Sequence, residues 1–389
     1  MSRKPLRVTI AGGGVAALEA LLALRRLAEK RVSIELLSAE SEFWYRPLAV
    51  AEPFGLGELH GLDLGTVADE CGATLTLGSL SSVDADAHVV RTSVGGELEY
   101  DALLLAVGAH PVAAVPGAFN FRGPADTDAF RTLLWGMTSG ERIAFVVPGG
   151  VAWPLPLYEL ALQTALKRRD VSISLLTHEQ EPLDIFGPQA AGAVAQLLAE
   201  RAVELLTGVY PVEVKEGMLV LAPNGRVEAD RVVALPRLEG PAIGGVPVDS
   251  QGFIPTDPSG RVRGLADVFA AGDATAFPIK QGGLAAQQAD AAAEEIAALA
   301  GVELDPHPFR PVLRGLILTG DAPVYARADL TGTGDPFLCG SDALWWPGGK
   351  IVGRHLAPFL AERSGLILGE APYESVAFEA DLSSLVPSG

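Results

Sequence analysis

Cysteine is nearly absent. Cys71 and Cys339 are the only two in 389 residues, and no CxxC pair exists. That excludes a disulfide scaffold and a zinc-ribbon site, and it fits a reducing compartment, the cytoplasm. Histidine is sparse, with six residues and no ligand spacing, so no metal is expected. Basic charge is short, because 29 Lys and Arg face 48 Asp and Glu, a net charge of −19. That balance argues against nucleic acid and against an electrostatic hold on anionic lipid. No run approaches the ~18 apolar residues of a membrane span. The stretch "YESVAFEADLSSLVPSG" carries acids and lacks the basic amphipathic face of a strong surface anchor. "MSRKPLRVTIAGGG" lacks the apolar region and cleavage site of a secretion signal.

What is abundant points to a globular, α/β chain. Apolar residues make up 49% and charged residues 20%, with 44 glycines and 28 prolines. The length suggests two or three domains. "LRVTIAGGGVAALEALLALRRLAEK" predicts a β-branched strand, a glycine turn and an Ala/Leu-rich helix. Gly12 and Gly14 take the first two positions of a dinucleotide fingerprint, with Gly13 between them, and Ala17 takes the third. The helix N-terminus then presents free N–H groups to a pyrophosphate. The next strand, "VSIELLS", would end at a ribose-binding acid. Ser38 stands there, and Glu40 follows two residues later, so either can hold the ribose.

Two later stretches are as informative. "YDALLLAVGAHP" reads as a buried strand with a small-residue turn at Val107 and Gly108. "DVFAAGDATAFPIKQGGLAAQQADAAAEEIAALA" reads as a strand, a Gly272–Asp273 turn, a loop and a long helix from about Gly282. With the first turn, these resemble the signatures of the two-dinucleotide-binding-domain flavoproteins, the glutathione-reductase-like pyridine nucleotide-disulfide oxidoreductases. The resemblance spans roughly residues 6 to 300. It implies two Rossmann-like domains and FAD at the first turn. It also implies Asp273 at the ribityl and pyrophosphate region, and contacts from Leu80, Val107, Gly108 and Gly272. The start of the long helix, Gln281 and Gly282, would face the flavin.

A second glycine turn, "FVVPGGVAWPLPLYELAL", opens like the first and then diverges. Pro148, Pro154 and Pro156 remove backbone donors that a phosphate cradle uses, and Trp153 adds bulk. NAD(P)H is therefore expected to bind poorly. If it binds, Glu179, after the strand "SISLLT", is the candidate ribose acid. This stretch resembles the branch that holds sulfide:quinone oxidoreductases and flavocytochrome c sulfide dehydrogenases, with type II NADH dehydrogenases nearby. Tyr158-Glu159 matches a Tyr-Glu of that branch. "FPIKQGG" and "EFWYRPLAV" also resemble segments of that branch, and the resemblance implies Lys280, Arg46 and Pro47 near the flavin. The branch's reactive cysteine has no counterpart, because Trp153 stands at its position and Cys339 has no partner thiol.

The resulting expectations are specific. The FAD domain is split over 1–112 and 238–315, the second domain spans 113–237, and 316–389 forms a C-terminal interface or substrate domain. Glu159 and Lys280 are the candidate catalytic residues. Trp345 and Trp346 are either the wall of a flat substrate pocket or core residues of the tail. The reaction is two-electron transfer at the flavin with a small-molecule, quinone-like or other organic partner. An NAD(P)H:acceptor oxidoreductase and a flavin-binding protein without turnover are the alternatives. A homodimer is compatible with the sequence.

Overall fold

The structure is a computed structural model that describes residues 4–58, 61–328 and 337–363. The acidic stretch from Tyr373 onward lies outside the described residues. Four helices position the site: α1 (Val15–Ala28), α2 (Leu155–Lys167), α3 (Gly282–Leu299) and α4 (Leu356–Arg363).

The first sheet has five strands in the order Val268–Ala270, Ala102–Leu105, Leu6–Ala11, Val32–Ser38 and Thr74–Leu77. All pairings are parallel, with Leu6 opposite Val32 and Val8 opposite Ala102. A parallel sheet must be covered on both faces, which is why these strands are nearly continuous apolar runs. Val8, Ile10 and Leu36 pack against Leu18, Leu21 and Leu24 of α1 and against Ala289 and Ala293 of α3. On the other face Leu103 and Leu105 pack with Val83, Val90 and Ile243.

The second sheet repeats this plan. Its parallel strands run Phe119–Asn120, Arg231–Ala234, Arg142–Val147, Ser172–Thr177 and Val203–Leu206. Phe145 and Val147 cluster with Leu157 and Leu160 of α2, while Ala144 and Val146 meet Leu219 and Leu221 of an antiparallel meander. Each sheet therefore has helices on one face and a meander, or the loops beside one, on the other.

A third sheet is antiparallel: Leu313–Ile317, Val324–Ala328 and Phe337–Gly340. Strand alternation sends Leu313, Gly315 and Ile317 to one side. Leu313 and Ile317 join the core cluster of the second sheet, as do Ala326 and Ala328. A Cβ at Gly315 would lie 2.5 Å from the ring of Phe186, so a larger residue has no room there. Among the described residues, no helix is long and apolar enough to cross a membrane.

Candidate active site

The first glycine turn is built for close approach. Gly12 has φ +134°, and a Cβ there would stand 2.1 Å from the Ala106 carbonyl oxygen. Only glycine fits both constraints. A Cβ on Gly13 would meet Ser38 Oγ at 2.5 Å, whereas nothing lies within 4 Å of one on Gly14. Gly14 caps α1 with extended backbone and no side-chain acceptor, so the first N–H groups of α1 are left for a ligand. Ala17 is fully buried, as close helix–strand packing demands. Ser38 is buried beside this turn and accepts from the Glu40 amide at 3.2 Å, while Glu40 is exposed.

Around this turn the fold gathers most of the expected residues. The Ala271 amide donates to Leu105 at 3.0 Å, which sets Gly272 beside the turn at Val107 and Gly108. Gly108 has φ +74° and open space around it, and Gly272 has φ +77° with Ala16 and Ala285 at its flank. Gly282 begins α3 next to Val15 and Ile351, and Gln281 caps α3 by accepting from the Leu284 amide at 2.9 Å. Asp273 accepts no hydrogen bond from a described residue. Burial pushes its carboxyl upward, opposed by the Lys280 and Arg46 cations. A carboxylate that accepts no hydrogen bond from a described residue, a crowded glycine turn and an uncapped helix N-terminus fit the ribityl, pyrophosphate and ribose of a dinucleotide.

Lys280 and Leu80 make contacts within the protein itself. The Lys280 ammonium donates to the Thr275 carbonyl and lies 3.9 Å from the centre of the Phe253 ring. Burial depresses it to about 8, with Asp273 and Asp249 opposing. Leu80 packs at the edge of the apolar cluster below the first sheet.

Glu159 occupies a place that no local pattern reveals. It is fully buried, and Lys350 donates to both of its oxygens at 2.5 and 2.7 Å. The Leu318 amide donates to Oε1 at 2.7 Å. Burial raises its carboxyl and Lys350 opposes that. Next to this pair, the Lys350 and Ile351 amides both donate to the Tyr45 hydroxyl at 3.1 Å. Tyr45 directly precedes Arg46 and Pro47, which form a short 3-10 turn. Trp345 meets Tyr325 edge-on at 5.1 Å and donates to the Gly349 carbonyl, while Trp346 is exposed. Sequence reading missed Tyr45, Leu318 and Lys350 as a group. Tyr45 and Lys350 lie inside the stretches "EFWYRPLAV" and "ALWWPGGKIVGRHLAPFL", and Pro47 in the first and the Pro-Gly-Gly turn in the second were the available signal.

The second glycine turn has a different interior. Trp153 does not fill it alone, because its indole leans on Phe186 at 5.8 Å in the core of the second domain. Glu179 is already engaged. Tyr158 donates to its Oε2 at 2.6 Å and Thr177 at 2.8 Å, within a buried pocket. Cys71 is buried and Cys339 half-buried, and both are free thiols pushed upward by burial.

Two parallel, dinucleotide-type sheets with one open glycine cradle define a flavin-dependent oxidoreductase of the two-domain kind. The chain matches the pyridine nucleotide-disulphide oxidoreductase family over residues 6–295 and belongs to it. It is an FAD-dependent oxidoreductase, with FAD held by the family's dinucleotide folds. An NADH dehydrogenase-like protein of Mycobacterium tuberculosis is 29% identical over 292 residues, covering 69% of this chain and 73% of that relative. The sulfide:quinone oxidoreductase of the hyperthermophilic bacterium Aquifex aeolicus has a similar fold, at TM-score 0.79 and 21% identity over 86% of each chain. A ferredoxin reductase from Rhodopseudomonas palustris has TM-score 0.68 and 18% identity, covering 85% of this chain and 83% of that one.

Proposed function

We propose that this protein passes electron pairs between its flavin and a flat organic acceptor of the quinone class, without a cysteine relay. The observation that carries this reading is the buried Glu159–Lys350 pair, tied to Tyr45 at the meeting point of all three sheets' segments. Bound FAD supplies two-electron chemistry at flavin N5. The first turn, with Gly12, Gly13, Gly14 and Ser38, holds the pyrophosphate and nearest ribose. Asp273 would accept from the ribityl chain, and the start of α3 at Gln281 and Gly282 would offer positive potential to the ring. Arg46, Pro47, Val107, Gly108 and Gly272 line the same cradle, and Lys280 contributes charge from behind Asp273.

Lys350 gives its ammonium proton to the acceptor as the acceptor takes up the electron pair and regains a proton from solvent, and Glu159 holds Lys350 in position. Both oxygens of Glu159 are already engaged, so its position is fixed before any substrate arrives. The parts map onto 1–112 with 238–315 as the FAD domain, 113–237 as the second domain, and the remainder as the substrate-facing region. Two free thiols support a cytoplasmic protein.

The test is flavin reoxidation by menadione after dithionite reduction. Lys350→Met is expected to slow it by about 100-fold with flavin retained, the scale of a lost positioned acid. Reoxidation at the parent rate overturns the proposal. A second reading, NADH:acceptor oxidoreductase, draws on the name of the mycobacterial relative. Rapid flavin reduction by micromolar NADH is its signature.

A further inference from the structure

On the third sheet, Arg314 and Arg327 stand directly opposite each other in antiparallel register. Their Cβ atoms are thus about 5 Å apart on one face, an arrangement that costs stability between like charges. The chain has 48 acidic residues, yet no acid pairs with Arg314 among the described residues. Burial and the neighbouring Arg327 cation together push its guanidinium down to about 10. A half-buried guanidinium that meets no acid among the described residues suits an anion bound from outside.

The surroundings say what kind. Arg314 and Leu316 share the face opposite the one that packs on Phe186, and Leu316 pairs with Tyr325. Tyr325 carries Trp345 edge-on and donates to the Gly348 carbonyl at 3.3 Å. The Arg pair therefore adjoins an aromatic wall. The same strand is anchored at both ends to the site. The Arg314 carbonyl accepts from Gln281 at 3.0 Å, and Leu318, four residues on, donates to Glu159. Four strand residues span about 13 Å.

We propose that Arg314, backed by Arg327, binds the anionic substituent of the redox substrate, a planar ring carrying a carboxylate, sulfonate or phosphate. This rests on the acceptor reading above. A guanidinium suits such a group because its planar fork donates two parallel hydrogen bonds. The ring then lies along the Trp345 side, with its reducible end toward Lys350.

The experiment uses the FAD-loaded full chain and two probes. Reduced enzyme is reoxidised by 1,4-naphthoquinone-2-sulfonate and by the neutral 2-methyl-1,4-naphthoquinone. Separately, non-reducible 2-naphthalenesulfonate is titrated onto oxidised enzyme by equilibrium dialysis. Arg314→Met is expected to raise the half-saturating concentration of both sulfonates by about tenfold or more, the worth of a charge-assisted hydrogen bond. The neutral quinone should shift far less, and Arg314→Lys should recover part of the sulfonate binding. Equal effects on charged and neutral quinone overturn the proposal, as does parent enzyme that binds 2-naphthalenesulfonate no better than Arg314→Met. If neither quinone is reduced while 2-naphthalenesulfonate binding still depends on Arg314, the anion site stands and the quinone reading falls.

Discussion

The two glycine turns share a scaffold and differ in what they leave free. Both follow the central strand of a five-stranded parallel sheet, and both feed a helix. At the first, Gly12 presses on the Ala106 carbonyl, Gly14 faces open space, and α1 starts without a side-chain cap. At the second, Gly149 backs onto Tyr210, Gly150 onto Arg237, and α2 has Pro154 as its N-cap and Pro156 in its first turn. Prolines offer no N–H to a phosphate. At the strand edge the contrast recurs, because Glu179 is held by Tyr158 and Thr177 while, among the described residues, the Ser38 side chain accepts only the Glu40 amide. Fold alone does not make a nucleotide site. The free donors and acceptors at the turn do.

The helices after the turns converge where the turns diverge. Each carries one fully buried glutamate, Glu19 on α1 and Glu159 on α2, and each commits it to the same C-terminal segment. Glu19 accepts from the His355 and Leu356 amides at 2.6 and 2.8 Å, which caps α4. Glu159 takes Lys350. The segment 350–356 is thereby clamped between both domains.

The largest effect tests the turns against each other. Gly14→Glu puts a side chain and a like charge where the pyrophosphate belongs. Flavin content of purified protein should fall about tenfold or more, at least ~1.4 kcal/mol of binding. Gly149→Ala, whose new Cβ would make only ordinary contact with Tyr210 at 3.5 Å, should keep its flavin and stay within about 1 kcal/mol in stability. Absorbance at the flavin band and chromatography of released cofactor decide it. A yellow Gly14→Glu protein breaks the assignment.

Next comes the second turn. NADH and NADPH should half-saturate parent enzyme only near ~1 mM, about −4 kcal/mol. Tyr158→Phe removes one of the two hydroxyls that donate to Glu179 Oε2, leaving Thr177 in place and that oxygen able to accept from a ribose hydroxyl. NADH half-saturation should then improve roughly threefold to tenfold, the range of one hydrogen bond. Micromolar saturation of the parent, with fast flavin reduction, would reverse this ordering of the two sites.

How far the sequence foretold these sites depends on separation along the chain. The first strand and turn, the buried strand near residue 103 and the helix start at Gly282 were legible, because each is a local run of residues with its own period and punctuation. The Glu159–Lys350 pair was not. Its partners are 191 residues apart, and only the tertiary fold brings them together. The Tyr158–Glu179 bond was hidden differently. Both residues stood in stretches already singled out, but a carboxylate facing a ribose and one facing a tyrosine read alike in sequence.

A smaller effect separates the two glutamates. Glu159 faces a cation, whereas Glu19 faces Asp290, with His355 completing a cluster whose ligand atoms lie within 4.8 Å of one another. Burial and the Glu19 carboxylate push Asp290 well above the usual range, and burial depresses His355 to about 4. Arg354 opposes the rise at Asp290 and Glu294 adds to it. The folded state therefore holds a proton that the unfolded chain releases near pH 4. Stability from this group is complete below that pH and is lost as pH rises toward the raised folded value. Asp290→Asn removes the titration. Its melting temperature should exceed the parent's at pH 8 by more than at pH 5, and a gap that shrinks with pH would refute the pairing.

The smallest effect is an expected absence of change. The two thiols lie in different regions, Cys71 just after the helix Leu64–Glu70 and Cys339 on the third sheet opposite Ala326. Burial pushes both thiols upward, so both are protonated at neutral pH, and the thiolate is the nucleophile. A sulfide-oxidising relay needs two cysteines that can join and part at the flavin. Here one belongs to the first domain's core and the other packs against the second's. Cys71→Ser/Cys339→Ser should therefore keep whatever flavin reduction by sulfide the parent shows, measured by stopped flow at equal flavin content. A loss above tenfold, roughly 1.4 kcal/mol of barrier, would mean that the thiols act in the reaction. Electron entry would then have to be placed at the third sheet, beside Cys339.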